Sequence, residues 1–449
     1  MKNIPVLLAA LFLLSPVAAA QDISGVWHGK AEVGAQTMRI NFDIRPTDEG
    51  WSGAMQSPDQ SGDWIPFTHV EVRTDTLKAV IASLLFSYQG VFSGETIIGS
   101  FTQSGMTIPL DFSREEVALR RPQEPKPKYP YGIEEVKFRN EAAGITLAGT
   151  LTLPWVGEKP YPAVVLVSGS GPQDRDETVA GHRPFWIIAD YLTQNGIAVL
   201  RYDDRGVGES EGNYAAATLG DFAGDASAAL AYLRSRPEIA AGEVGLIGHS
   251  EGGMIGLMLA AEKQTGFIVT LAGPGVDGKS LLDMQRSALM RTSGASDAYI
   301  DAYNRKMNEA SDLAIALDDK QELRDSLTKL FAGTPFESSI EAAVAQFSSP
   351  ELRSLLAFDP AAYYPRITCP VLALNGEKDL QVPAGPNLEA IHRGLTHNPN
   401  LSIRSYPALN HLFQSAVTGL PTEYAHIEET FNREALRDIV EWIKKITSR

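Results

Sequence analysis

Val244-Gly245-Leu246-Ile247-Gly248-His249-Ser250-Glu251-Gly252-Gly253 runs from an apolar strand, through a glycine-flanked serine, into a helix that starts near Gly252. The pattern is G-x-S-x-G in strand-turn-helix context, which distinguishes a nucleophile elbow from a chance match. A sharp strand-to-helix turn strains the backbone at Ser250 and leaves its Oγ exposed. Residues two positions either side, Gly248 and Gly252, must lack side chains, because a Cβ there collides across the turn. The helix N-terminus adds positive partial charge beside the serine. Read instead as an ordinary Gly/Ser turn, the segment would leave this flanking context unexplained.

Outward from that strand, apolar runs alternate with helical stretches. Ala163–Val167, Ile197–Leu200, Val244–Ile247, Phe267–Leu271 and Val371–Leu374 are continuous and apolar, as strands buried on both faces are. Asp221–Arg234 and Gly252–Lys263 read as helices between them. Glu135–Phe138 and Thr146–Leu153 read as a strand pair leading in. This alternation predicts an α/β domain over 133–449 with a mostly parallel sheet. Residues 277 to about 358 interrupt it with helices and no strand, and are expected to form a helical cap. Met284, Met290 and Met307 could line an apolar slot there, although ordinary packing accounts for each.

Upstream, residues 21–120 alternate in period two, as in Met38-Arg39-Ile40-Asn41-Phe42-Asp43-Ile44, with turn residues at regular intervals. They predict a small all-β domain, barrel-like. Trp27, Trp51 and Trp64 fit core packing better than an aromatic binding face. Residues 121–132 are rich in proline and read as a semi-rigid linker. Residues 1–20 have Lys2, the apolar run Ile4–Leu14 and Ala18-Ala19-Ala20, the order of a signal peptide, so the protein is expected to be exported, periplasmic or extracellular. No later segment is long and apolar enough to span a bilayer. The 449 residues carry 39 Lys and Arg against 55 Asp and Glu, a net charge of −16, which disfavours nucleic acid as a partner. One cysteine, Cys369, excludes an intrachain disulfide and a Cys-based zinc site, and the sequence calls for no metal or cofactor.

A serine hydroxyl needs a base. Of the eight histidines, His411 follows a late strand, Leu401–Tyr406, in the loop Pro407-Ala408-Leu409-Asn410-His411-Leu412-Phe413, where an imidazole can reach back to the nucleophile. His249 adjoins Ser250 and reads as structural. The carboxylate is expected after the strand Val371–Leu374, in Asn375-Gly376-Glu377-Lys378-Asp379; Asp379 is preferred and Glu377 is its rival. Oxyanion donors are expected from the backbone N–H of Glu251 and of Ser170 in Ser168-Gly169-Ser170-Gly171-Pro172, with Gly169 or Gly171 as alternatives to Ser170.

Together the elbow, Ser168–Glu177, Arg201-Tyr202-Asp203-Asp204-Arg205-Gly206-Val207-Gly208-Glu209-Ser210, Leu374–Asp379 and Asn410-His411-Leu412-Phe413 resemble the α/β-hydrolase superfamily, and within it the exported bacterial serine hydrolases of the serine-aminopeptidase-like, carboxylesterase branch. The resemblance covers about residues 133 to 449. The chain departs from the His-Gly that many relatives have before the oxyanion loop, carrying Ser168-Gly169 instead. Asp174, Arg175, Asp176 and Glu177 are expected to hold that loop by ion pairs, and Asp203 or Asp204 to pair with Arg205. The resemblance implies hydrolysis of a small acyl ester by Ser250, Asp379 and His411 through an acyl-enzyme. Peptidase, amidase or thioesterase chemistry with the same triad is the alternative, and a non-catalytic binding protein on the same scaffold is a third. Oligomeric state, ester preference and the role of the β domain stay open.

Overall fold

The computed structural model describes residues 22–447 apart from 34–35, 49, 59–63, 104–105, 117–119 and 335. Residues 1–20, read above as a signal peptide, lie outside the described residues. Contacts divide the chain into two units, Met1–Ala118 and Leu119–Arg449.

The first unit is a nine-stranded antiparallel sheet: β1 (Gly25–Val33), β2 (Gln36–Thr47), β3 (Gly50–Gln56), β4 (Ile65–Pro66), β5 (His69–Arg73), β6 (Thr76–Ile81), β7 (Phe86–Ser93), β8 (Thr96–Gln103) and β9 (Met106–Ser113). Its order is β4-β3-β2-β1-β9-β8-β7-β6-β5. Period-two sequence becomes period-two burial, strictly so in β7, where Phe86, Tyr88, Gly90 and Phe92 face in. The sheet curls as a half-barrel around Trp27, Phe42, Phe86 and Phe112. The strand ladder stays open between β4 and β5. The chain between them links both edges, with Phe67 N donating to Gly53 O at 2.9 Å and Thr68 N to Val80 O at 2.7 Å. Trp27 is wholly buried and its indole N–H donates to Ile23 O at 2.8 Å, whereas Trp64 is exposed. The tryptophans therefore form no common face.

The second unit holds eight strands: β10 (Tyr131–Asn140), β11 (Ile145–Pro154), β12 (Tyr161–Val167), β13 (Ala198–Tyr202), β14 (Ile239–His249), β15 (Ile268–Leu271), β16 (Val371–Gly376) and β17 (Leu401–Tyr406). The order is β10-β11-β13-β12-β14-β15-β16-β17. β10, β11 and β13 pair antiparallel, and from β13 onward every pairing is parallel. Helices α1 (Pro184–Gln194), α2 (Leu219–Ser235) and α3 (Glu251–Ala261) follow β12, β13 and β14. Alternate residues of β12 feed two cores. Ala163, Val165 and Val167 pack with α2 and α3, and Val164 and Leu166 pack with α1 and the C-terminal helix. Chain order reverses around β12, so the crevice beyond the carboxyl ends of β12 and β14 is the switch point at which open α/β sheets place ligands.

Local sequence sets the helix boundaries. Thr218 caps α2 in a reciprocal box with Asp221, each side chain taking the other's backbone N–H. Among the described residues, five α-helices separate β15 from β16: α4 (Gly278–Thr292), α5 (Asp297–Ala316), α6 (Lys320–Phe331), α7 (Ile340–Phe347) and α8 (Pro350–Leu356). They form the expected cap and share a core that includes Met307, Leu323, Leu327 and Phe331. Met307 is packing material, while Met284 and Met290 are half-buried. After β16 come α9 (Ala384–Gly394) and α10 (Arg433–Ile446). α10 buries Ala435, Leu436, Ile439, Val440 and Ile443, a 3.6-residue stripe.

The proline-rich stretch is no free spacer. Arg121 donates to Ala425 O at 2.9 Å and Ile427 O at 3.1 Å, Gln123 donates to Phe431 O at 2.6 Å, and Glu124 pairs with Arg183 at 2.9 Å. Proline density excludes helix and interior strand. The polar side chains between the prolines are nonetheless free to bind the carbonyls of a neighbouring loop, a contact that composition does not encode.

Candidate active site

Ser250 sits between β14 and α3 at φ +52°, ψ −115°, a sparsely populated region that costs roughly 1–3 kcal/mol unless the surroundings hold it. They do: Ser250 N donates to Leu271 O and Gly253 N to Ser250 O, both at 2.9 Å. The two flanking glycines are needed for different reasons. A Cβ on Gly248 would lie 2.0 Å from Gly252 O, across the turn as expected; one on Gly252 would lie 2.2 Å from Val167 O, against the end of the neighbouring strand β12.

β16 and β17 end at the same rim and deliver two loops that touch. Lys378 N donates to Leu409 O at 3.0 Å, and Gly376 packs so closely on Leu409 that a Cβ there would be 2.1 Å from its carbonyl oxygen. Across this contact Asp379 Oδ2 lies 2.7 Å from His411 Nδ1. The other oxygen, Oδ1, accepts Gln381 N and Val382 N, both at 2.8 Å. Both side chains are buried, so the pair is fixed and shielded from water. Asn410 stiffens the histidine loop by accepting Leu412 N and Gln414 N, and Phe413 anchors it by stacking on Phe431. Glu377 points elsewhere, accepting from the Ser405 hydroxyl on the exposed side.

His249 ties the elbow to the histidine loop. Its Nε2 lies 3.0 Å from His411 O, and the two rings stand 4.7 Å apart. Its Nδ1 lies 2.8 Å from Glu177 Oε1. Burial pulls the His249 pKa down, but the charge and hydrogen bond of Glu177, the His411 carbonyl and the charge of Asp379 together carry it above its ordinary value. Glu177 and the His411 carbonyl thus favour the protonated form of His249. In that form Nε2 donates to His411 O and Nδ1 to Glu177.

Glu177 Oε1 also accepts Gly169 N at 2.7 Å, and Gly171 N donates to Glu351 Oε1 of α8 at 3.2 Å. Between these two engaged N–H groups, the Ser170 N–H has no acceptor among the described residues. Glu251 N, at the start of α3, has none either. Behind the loop, Glu251, Asp204 and Tyr214 line a small cavity of ≈ 10 Å³. Glu251 Oε2 is buried without a hydrogen-bond partner among the described residues. Burial, with the charges of Glu351 and Asp204 added, pushes its carboxyl up to about 8. Burial likewise pushes Asp204 up to about 7, against the opposing hydrogen bonds from Gln173 and Ser168.

The loop's ion pairs differ in part from expectation. Arg175 grips Asp203 through Nε at 3.0 Å and Nη2 at 2.7 Å, and Asp176 pairs with Arg201. Arg205, expected to pair with Asp203 or Asp204, instead pairs with Asp225 at 2.6 Å and Asp221 at 3.1 Å on α2. Asp204 spends its oxygens on the Ser168 hydroxyl and Gln173 N. Adjacency in sequence misled here, because the turn after β13 sends Arg205 towards the helix and Asp204 towards the loop. Sequence reasoning passed over Tyr214 and Glu351, which meet through a 2.7 Å hydrogen bond 137 residues apart. His182, also buried, bridges Thr430 and Tyr424 O, and burial first of all pulls its pKa down to about 4, a structural role.

Comparison with known proteins finds the following likenesses. The family model described as "Serine aminopeptidase, S33" matches residues 185–325. Esterase EstD of Thermotoga maritima is 26% identical over 386 residues, 83% of this chain and 86% of that protein. Esterase FrsA of Yersinia pestis is 38% identical over 96 residues, 21% of each chain. Among solved structures, an esterase from Pyrococcus furiosus aligns over 73% of this chain and 97% of its own with 18% identity and a TM-score of 0.45. A hypothetical protein from Pseudomonas aeruginosa aligns over 74% and 98%, with 18% identity and a TM-score of 0.46. The family model and the likeness to Esterase EstD support an α/β-hydrolase of the serine-hydrolase class.

Proposed function

We propose that the protein is a carboxylic-ester hydrolase that cleaves small acyl esters with Ser250 as nucleophile, His411 as base and Asp379 as its orienting carboxylate. The observation that carries this reading is the buried 2.7 Å Asp379–His411 pair, on a loop hydrogen-bonded to the residue before a strained Ser250. Asp379 holds His411 Nδ1 protonated and leaves Nε2 free to take the Ser250 proton as Oγ attacks the ester carbonyl. The N–H groups of Glu251 and Ser170 receive the tetrahedral oxyanion, and losing one such donor costs roughly 10²–10³ in turnover. His411 then protonates the departing alcohol. Water, deprotonated by His411, attacks the acyl-Ser250 carbonyl; the tetrahedral species collapses to carboxylic acid, and the proton returns from His411 to Oγ. The likeness to Esterase EstD over most of both chains supports ester rather than amide substrates. The leader-like residues 1–20 support export. Mass spectrometry of the cellular protein, with an N-terminus at Gln21, would test this.

The deciding experiment compares wild type and Ser250→Ala on p-nitrophenyl acyl esters and aminoacyl anilides, with fluorophosphonate labelling of both. Ester turnover and labelling that vanish together in Ser250→Ala are expected. Undiminished turnover in that variant removes Ser250 from the chemistry, and faster anilide than ester cleavage makes the enzyme a peptidase.

A further inference from the structure

We infer that Glu351, carried by the cap, is a positioning residue for the oxyanion loop. This rests on the acyl-transfer reading above and deepens it. Ser168-Gly169-Ser170-Gly171 is a stretch in which glycines permit many backbone conformations, and Gly171 adopts φ +91°. A donor on such a loop stabilises a developing charge only if its peptide planes are fixed beforehand. Two carboxylates fix the planes on either side of Ser170: Glu177 takes Gly169 N, and Glu351 takes Gly171 N. Glu177 belongs to the loop itself and is locked by the buried His249. Glu351 belongs to α8, 180 residues on, and its Oε1 is oriented by the Tyr214 hydroxyl at 2.7 Å.

Electrostatics sharpens the assignment. Glu351 has no Lys or Arg partner within ion-pair distance among the described residues, whereas its neighbour Arg353 pairs with Asp318. It stands close enough to Glu251 for its charge to raise that buried carboxyl. The polar partners of its Oε1 are Gly171 N and the Tyr214 hydroxyl. A second tie, Leu219 N to Ser354 Oγ at 2.9 Å, anchors α8 to the start of α2 without touching the loop. Cap displacement would carry the Gly171 acceptor away and release the plane beside the Ser170 donor.

The test measures kcat and KM on p-nitrophenyl butyrate for the full chain with Glu351→Ala, Glu351→Gln and Ser354→Ala. Glu351→Ala is expected to lower kcat by roughly ten- to a hundredfold, less than outright loss of an oxyanion donor, with KM nearly unchanged. Glu351→Gln should recover most of that loss, since its amide oxygen can take the same N–H, and Ser354→Ala should keep wild-type kcat. A folded Glu351→Ala protein with wild-type kcat, a Gln variant as impaired as the Ala variant, or an equal loss in Ser354→Ala would each overturn the inference. If Glu351→Ala does not fold, Tyr214→Phe replaces it. A severalfold fall in kcat at unchanged circular dichroism supports the role, and an unchanged kcat overturns it. Wild-type labelling by fluorophosphonate and a dead Ser250→Ala variant, run alongside, separate failure of this inference from failure of the acyl-transfer reading.

Discussion

Glu177 Oε1 stands 2.7 Å from Gly169 N and 2.8 Å from His249 Nδ1, so one oxygen joins the loop after β12 to the residue preceding Ser250. Both His249 and Glu177 are buried. Removing one partner of such a pair leaves an uncompensated charge and typically costs about 3–5 kcal/mol. Glu177→Ala is expected to lower Tm and ester turnover together. Thermal unfolding that matches wild type, alongside normal turnover, would show the pair to be dispensable.

Asp379 and Glu377 lie two residues apart and have opposite surroundings. Asp379→Asn should reduce kcat by on the order of 10⁴, the loss seen when an orienting carboxylate no longer fixes the imidazole tautomer. Glu377→Gln should leave kcat within about twofold, since its partner is an exposed hydroxyl and such surface changes are small. Steady-state kinetics on one ester decides the matter, and equal losses in both variants would remove the distinction.

The Glu251 carboxyl gives stability a defined pH dependence. Its unfolded form loses a proton near 4.5, while in the fold burial keeps it protonated to about 8. Over that window the folded state holds more protons than the unfolded one, so this group's contribution is whole below 4.5 and is lost as pH rises through about 8. Glu251→Gln keeps the shape and removes the titration. Its Tm advantage over wild type is expected to widen from pH 5 to pH 8 by roughly several degrees. An equal difference at both pH values would contradict a neutral buried Glu251.

Gly252→Ala places a methyl 2.2 Å from Val167 O, a clash with backbone that cannot swing aside. Overpacking at such a site is expected to cost at least about 1–3 kcal/mol and to displace Ser250. Soluble yield, Tm and turnover should all fall. Normal values for all three would mean that β12 and α3 can separate at little cost.

What the sequence disclosed follows physical range. Apolar strands announced themselves through continuous runs, because Val164 and Val165 must satisfy cores on opposite faces of one sheet. The elbow was legible because the steric demand at Gly248 acts across the turn itself, on Gly252; the demand at Gly252, set by Val167 O of β12, had no such local signal. Asp379 and His411 could be placed by strand order, each just past a recognisable strand, and the structure sets them 2.7 Å apart. Glu351 had no such signature. Its partner Gly171 is 180 residues away, and a carboxylate on a cap helix resembles any solvated charge until the helix is seated. The same blindness hid the pairing of Arg205 with α2 and the docking of residues 121–124. In each case the partner is a backbone or side-chain atom supplied by tertiary packing, with no period or spacing to report it.

The clasp made by Arg121 and Gln123 on the carbonyls of Ala425, Ile427 and Phe431 bears on where the chain can be cut. It stitches the opening of the second unit to the segment that leads into its final helix. A shortened clone begun at Tyr131 would keep every strand yet lose this stitch and expose the carbonyls it covers. One begun at Leu119 would retain it.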